Sequence, residues 1–232
     1  MNRSYARMAG WLYLSTIVTG LFAEFYVAGK LIDSADPKVT AANILASESL
    51  FRAGIVSELL GVAAYVCVSM LLYVILKPAG KNLALFSIFF ATVGNALWVV
   101  GSLYQFASLR LLHAGSSLTA FNSEQLQALA LQSIKDHDAA LNVGMVFFGL
   151  YCVLIGILLY RSGYFPKALG AVFVAGGVFD FIDELVAFAA PSLAAALPNW
   201  VQLPGFIAEL SLTLWLIVVG VGTVRMKEQS NQ

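Results

Sequence analysis

The chain is short of everything a water-facing domain needs on its surface. Only 13 of 232 residues are Lys or Arg and 13 are Asp or Glu. That is 11% charged, against about 25% in a soluble domain. The formal net charge is zero, which removes the basic excess that a nucleic-acid binder needs. Two cysteines cannot frame a disulfide scaffold. No HExxH, GxSxG, P-loop, GxGxxG or CxxC run occurs, so the common signatures of metalloproteases, serine hydrolases, nucleotide binders and thiol oxidoreductases are missing. What is present is apolar: 60% of the residues are hydrophobic and the mean hydropathy is +0.84. This excludes intrinsic disorder and describes a protein whose solvent is lipid.

A helix needs about 20 mainly apolar residues to cross a hydrocarbon core of ~30 Å. Six stretches meet that length: 8–29, 52–76, 84–111, 139–160, 167–190 and 202–224. Strands are excluded because open sheet edges leave backbone groups unpaired in lipid, and no segment alternates as a barrel strand does. The expected fold is therefore an all-α membrane protein, one polytopic domain over residues 1–232, folded as a six-transmembrane-helix bundle. With both termini inside, the inner segments gather Arg3, Arg7, Lys77, Lys81, Arg161, Lys167, Arg225 and Lys227. The outer ones hold Lys30, Lys38, Arg52, Arg110 and Lys135. The excess favours an N-in, C-in orientation.

Pro78 with Gly80, and Gly163 with Pro166, make tight inner turns, so spans two and three, and four and five, pair antiparallel. The two hairpins resemble each other, each with a Leu-Tyr pair ahead of its basic turn. Two outer segments read as short amphipathic helices: one opens at Asp36-Pro37, the other at Asn122-Ser123-Glu124 with Leu126, Leu129, Ala130 and Ile134 on one face. The last outer loop carries Pro198 and Trp200. Gly20-Leu21-Phe22-Ala23 is a poor cleavage site because Leu21 is bulky where a small residue is required, so the first span is expected to stay attached.

Several strings, in order and spacing, resemble a known family. They are Arg7-Met8-Ala9-Gly10 with Tyr13-Leu14; Ala46-Ser47-Glu48-Ser49-Leu50-Phe51-Arg52; Leu72-Tyr73 with Leu76-Lys77-Pro78; Tyr160-Arg161-Ser162-Gly163-Tyr164 with Pro166; and Glu209-Leu210-Ser211-Leu212 with Leu214-Trp215-Leu216. Together they are similar to a bacterial membrane family known as domain of unknown function 4386, from about Arg7 to Val221. The resemblance implies a multi-pass protein of the bacterial inner (plasma) membrane. It implies no activity.

Ionisable groups inside a span cost about 2.5–3.5 kcal/mol each at the bilayer centre, so each requires a partner or a path to water. The polar and charged groups are unevenly placed. Glu24, Arg52, Glu58, Gln105, Arg110, Asp138, Asn142, Asp180, Asp183, Glu184 and Glu209 all fall in the outer half, with Asn95 the deepest strongly polar group of span three. At ~100° per residue Asp180, Asp183 and Glu184 share one helix face, where they are held by protonation, a cation, or Arg52 and Arg110. The reading is an outer-half acidic cavity of Glu58, Asp180, Asp183, Glu184, Glu209, Arg52 and Asn142 that binds or transports a cation, a proton or a small polar ligand.

Asp136 and Asp138 read as first-turn acids of span four, with His137 a partner for a neighbouring carboxylate. His137 and Asp138 are also weak metal candidates, which leaves open a metal-dependent membrane enzyme acting on a lipid or isoprenoid. A structural or accessory subunit is the third reading. No motif indicates a cofactor. The expected partner is the lipid bilayer, with no nucleic acid. Cys67 and Cys152 read as packing residues, and Gly94, Gly101, Gly170, Ala171, Ala175, Gly176 and Gly177 as faces for close helix contact.

Overall fold

Proline lacks an N–H and clashes with the preceding turn, so a chain that keeps proline at helix starts can build long helices elsewhere. That is the arrangement found in the computed structural model, which describes residues 3–114, 118, 120–194 and 203–221. Helix α1 is Arg3–Leu21, followed by a π-helical segment, Phe22–Ala28, and a last turn, Gly29–Leu31. Then come α2 (Pro37–Ala46), α3 (Glu48–Leu76), α4 (Lys81–Leu112), α5 (Ser123–Ser162), α6 (Lys167–Ala189) and α7 (Leu203–Val218), with single turns at Lys77–Ala79 and Pro191–Ala194. Pro37 and Pro191 open their helices, Pro166 precedes α6 and Pro204 is second in α7. No strand occurs among the described residues.

Among the described residues, four helical stretches are by length and composition able to cross a membrane: Ser4–Leu31, Glu48–Ala79, Lys81–Leu112 and Ser123–Ser162. Large apolar side chains stand exposed along them, among them Trp11, Val18, Leu60, Met70 and Phe89. Such a coat suits contact with lipid rather than water. Pro198, Trp200, Gln202, residues 222–224 of the expected sixth span, and Arg225 and Lys227 lie outside the described residues.

Three features depart from the expected boundaries. The outer segment opening at Asn122 is not a separate helix but the start of α5, which runs unbroken for 40 residues. There is no Gly or Pro between Ser123 and Val143, and the buried positions Ala130, Ile134 and His137 continue one helical stripe through the charged Asp136-His137-Asp138 run. Asp136 and Asp138 are therefore mid-helix and cap nothing. The true start is a capping box, in which Asn122 Oδ1 accepts from Gln125 N and Gln125 Oε1 accepts from Asn122 N, both at 2.9 Å. Second, α1 changes to π geometry at Phe22. Third, α7 stops at Val218, because Gly220 adopts φ 71° and turns its N–H back to Trp215 O at 2.9 Å, the left-handed helix ending that glycine makes easiest.

The chain divides into two compact units. The first comprises the described parts of Met1–Leu14, Ala64–Asn95 and Val143–Gln232. Its core holds Tyr13, Tyr65, Leu72, Tyr151, Phe173 and Leu212. Within it α5 and α6 touch through glycine: a Cβ at Gly156 would meet Gly170 O at 2.8 Å, and one at Gly149 would meet Gly177 O at 2.8 Å, so backbones approach as closely as small residues allow. The second unit comprises Ser15–Ala63 and Ala96–Asn142. Its core is Val27, Leu31, Ile44, Phe51, Ile55, Leu109 and Ile134. Helix α2 belongs to it, capped as expected by Asp36, whose Oδ1 accepts from Lys38 N at 2.8 Å and Val39 N at 3.2 Å.

Candidate functional site

In the second unit, α3 presents Phe51, Gly54, Ile55 and Glu58 at i, i+3, i+4 and i+7, a single stripe on its surface. The first three line a narrow cleft together with Ala23, Val27, Ala28, Ile32 and Gln105, with room for about one water. Every lining group but Gln105 is apolar. Gln105, on α4, is buried, and its Nε2 donates to His137 Nε2 at 2.8 Å. His137, on α5, is only 2% exposed. Its ring fits because Gly101 has no side chain: a Cβ there would lie 2.7 Å from Leu141 Cδ1 and 3.0 Å from His137 Nδ1.

His137 Nε2 also faces two carboxylates, Glu58 Oε2 at 3.8 Å and Glu24 Oε1 at 4.0 Å. Glu58 is 8% exposed and neither of its oxygens has a hydrogen-bond partner. Both distances are too long for a hydrogen bond and short enough for ion pairing when the imidazole carries two protons. Glu24 reaches the imidazole from the π-helical segment, which also supplies cleft residues Ala23, Val27 and Ala28. Such segments concentrate at functional sites in proteins generally.

With its amide nitrogen donating, Gln105 holds His137 Nε2 as an acceptor, that is, as an imidazole without a proton on that atom. A proton arriving on Nε2 removes the acceptor, and the Gln105 side chain must then turn its oxygen toward the ring or leave it. The state of His137 is thus tied to a group that lines the cleft.

The other expected residues are placed as follows. In the second unit, Arg52 is half-exposed and its Nε pairs with Glu48 Oε1 at 2.7 Å. Glu48 Oε2 in turn lies 3.1 Å from His113 Nε2. Arg52 is therefore engaged one turn back on its own helix and does not reach into a carboxylate cluster, as a four-residue spacing on α3 allows. Asn142 and Asp138 are exposed. His137 and Asp138, adjacent in sequence, point to different surroundings, as neighbours on a helix must. Lys38 Nζ meets Glu124 Oε1 at 2.6 Å on the surface, and that carboxylate holds the ammonium above the ordinary lysine range.

In the first unit, Asp180 and Glu184 are buried and Asp183 is half-buried. Asp180 and Glu184 extend the buried stripe of Phe173, Gly176 and Gly177 on α6. The Asp180 carboxylate lies against Gly205, where a Cβ would collide with it. Glu209 Oε1 accepts from Tyr13 OH at 2.7 Å and Tyr65 OH at 3.2 Å, a pairing of α7 with α1 and α3 that the sequence does not signal. Asn95 spends its amide on Ala91 O at 2.7 Å within its own helix. Among the described residues no group of three or more His, Cys, Asp and Glu side chains is arranged to hold a metal ion.

Comparison with known proteins follows the topology. The family model described as Domain of unknown function (DUF4386) matches residues 8–220. An uncharacterized protein of Archaeoglobus fulgidus is 29% identical over 155 residues, covering 67% of this chain and 76% of its own. No solved structure matches.

Proposed function

From the premise that the chain belongs to the DUF4386 family, whose name assigns no activity, we propose that it is a multi-pass protein of the bacterial inner (plasma) membrane that takes up and releases a proton at Glu58 and His137. In this reading it has six spans with both termini inside, and proton exchange serves transport. The observation that carries it is Glu58: a carboxyl group more than nine-tenths buried, without a hydrogen bond, facing an imidazole at 3.8 Å.

A buried carboxylate without compensation is costly. One proton shared between Glu58 and His137 removes that cost in either of two ways: both groups neutral, or imidazolium opposite carboxylate. The two forms carry the same net charge and differ only in where it sits; release of the shared proton leaves a neutral imidazole beside the Glu58 carboxylate, and uptake restores either form. Glu24, half-exposed and 4.0 Å from the same nitrogen, supplies a route between the imidazole and the surroundings. Glu209 fits a packing role, since its oxygen is already engaged by two phenols.

Infrared difference spectroscopy of the purified chain across pH tests this. The account expects a protonated-carboxyl C=O band that rises and falls with pH and is lost in Glu58→Gln. A spectrum unchanged by that substitution overturns it.

A further inference from the structure

In the first unit, Lys77 and Lys81 flank the turn from α3 to α4, and Arg161 and Lys167 flank the turn from α5 to α6. All four are exposed. Both turns are tight. Gly80 N donates to Lys77 O at 3.3 Å in the first; the second bends at Gly163, φ 67°, and Ser162 Oγ there donates to Leu159 O at 2.8 Å and accepts from Tyr164 N at 3.2 Å. The turns also meet: a Cβ at Gly80 would stand 3.3 Å from Leu158 Cδ2, one helical turn before Arg161. Four positive charges therefore gather at one end of the unit.

Nothing close in sequence neutralises them. No acidic residue occurs between Glu58 and Glu124 or between Asp138 and Asp180, the stretches that contain both turns. Among the described residues none of the four cations forms an ion pair, whereas in the second unit Lys38 and Arg52 each meet a carboxylate. Lys77 Nζ instead lies 5.9 Å from the centre of the Tyr73 ring, and Lys167 Nζ 5.5 Å from that of Tyr160. Such contacts attract a cation without cancelling its charge. A basic excess alone only orients a chain in the bilayer; two touching turns without a counter-ion point to an anion.

The surroundings narrow the choice of anion. About one turn further along the same helices, Val74, Phe86 and Val172 stand exposed. A soluble polyanion has nothing to set against them, whereas a phospholipid presents a phosphodiester and then acyl chains in that order. We propose that the two turns form a docking site for an anionic phospholipid, its headgroup among Lys77, Lys81, Arg161 and Lys167 and its chains along the apolar side chains beyond them. The site is independent of the proton exchange at Glu58, which belongs to the second unit.

Native mass spectrometry of the full chain, released from detergent with equimolar dioleoyl phosphatidylglycerol and dioleoyl phosphatidylcholine, tests this. The two lipids share a phosphodiester and acyl chains and differ in net charge. The wild type is expected to retain phosphatidylglycerol in preference. Each basic group beside an anionic lipid strengthens binding roughly fivefold, so Lys77→Gln with Lys81→Gln, or Arg161→Gln with Lys167→Gln, lowers the preference by about tenfold or more. All four together abolish it. A matched variant with Lys30, Lys38, Arg110 and Lys135 replaced by Gln removes as much charge elsewhere and keeps the preference. Equal retention of both lipids by the wild type, a preference that survives the loss of all four cations, or an equal loss in the matched variant overturns the site. Retention of poly-glutamate in place of phosphatidylglycerol would assign the turns to an acidic protein and overturn the lipid. Displacement of the lipid by an equal concentration of glycerophosphoglycerol, the headgroup without its chains, would do the same.

Discussion

Glu58 is conspicuous in the sequence: an acid in the middle of an apolar run is expensive, and expense of that kind marks function or a partner. Its partner is not. His137 looks like part of a charged helix start when Asp136 and Asp138 flank it, and only the continuity of α5 puts the imidazole on the buried stripe of Ala130 and Ile134. The signal that marks it in the sequence is the i, i+4, i+7 spacing of Ala130, Ile134 and His137. Gln105 carries no such mark, since one amide in an apolar helix is compatible with many roles. Tyr13 and Tyr65 look like ordinary aromatics until Glu209 is placed between them. Replacing Tyr13, which is fully buried, by Phe removes its 2.7 Å hydrogen bond to Glu209. We expect Tyr13→Phe to lower unfolding free energy by about 1–2 kcal/mol in a denaturation titration, with the Glu58 infrared band unaltered.

At the scale of the element, most helices were legible because apolar length and proline placement are direct physical signals. The boundaries that shifted did so for local reasons: a capping box at Asn122, a left-handed Gly220, and the π-helical segment Phe22–Ala28. The last has no reliable signature in sequence, because a wider turn is a matter of one residue more than α geometry accommodates. Its consequence is testable. Phe25 projects outward, 78% exposed, so deleting it sacrifices little packing. The deletion is expected to restore α geometry and rotate Glu24 by about 100° relative to the residues that follow. The 4.0 Å approach of Glu24 to the His137 ring should then be lost, moving the His137 titration curve while the Tm falls by only a few degrees. A deletion variant with an unchanged His137 curve would show that the π-helical segment does not position the site.

For the whole molecule, composition alone led to an all-helical protein with stretches fit for a bilayer, and the structure has that character. The expected cavity was drawn from position along the helices, counting depth in the membrane. Depth says which residues lie at one level but not which of them face each other. By depth alone Arg52 and Asn142 stand beside Glu58, and Glu24, less costly near a helix end, stands apart from it. Side-chain direction decides, and it brings Glu58, His137, Gln105 and Glu24 together within the second unit. The chain has only two histidines, which makes the central claim open to direct measurement. In nitrogen-15 spectra of histidine-labelled protein, with His113→Gln to assign the signals, the His137 ring should change protonation with pH, and its titration curve should move when Glu58 is replaced by Gln. A His137 curve that is the same with and without the Glu58 carboxyl would contradict a shared proton.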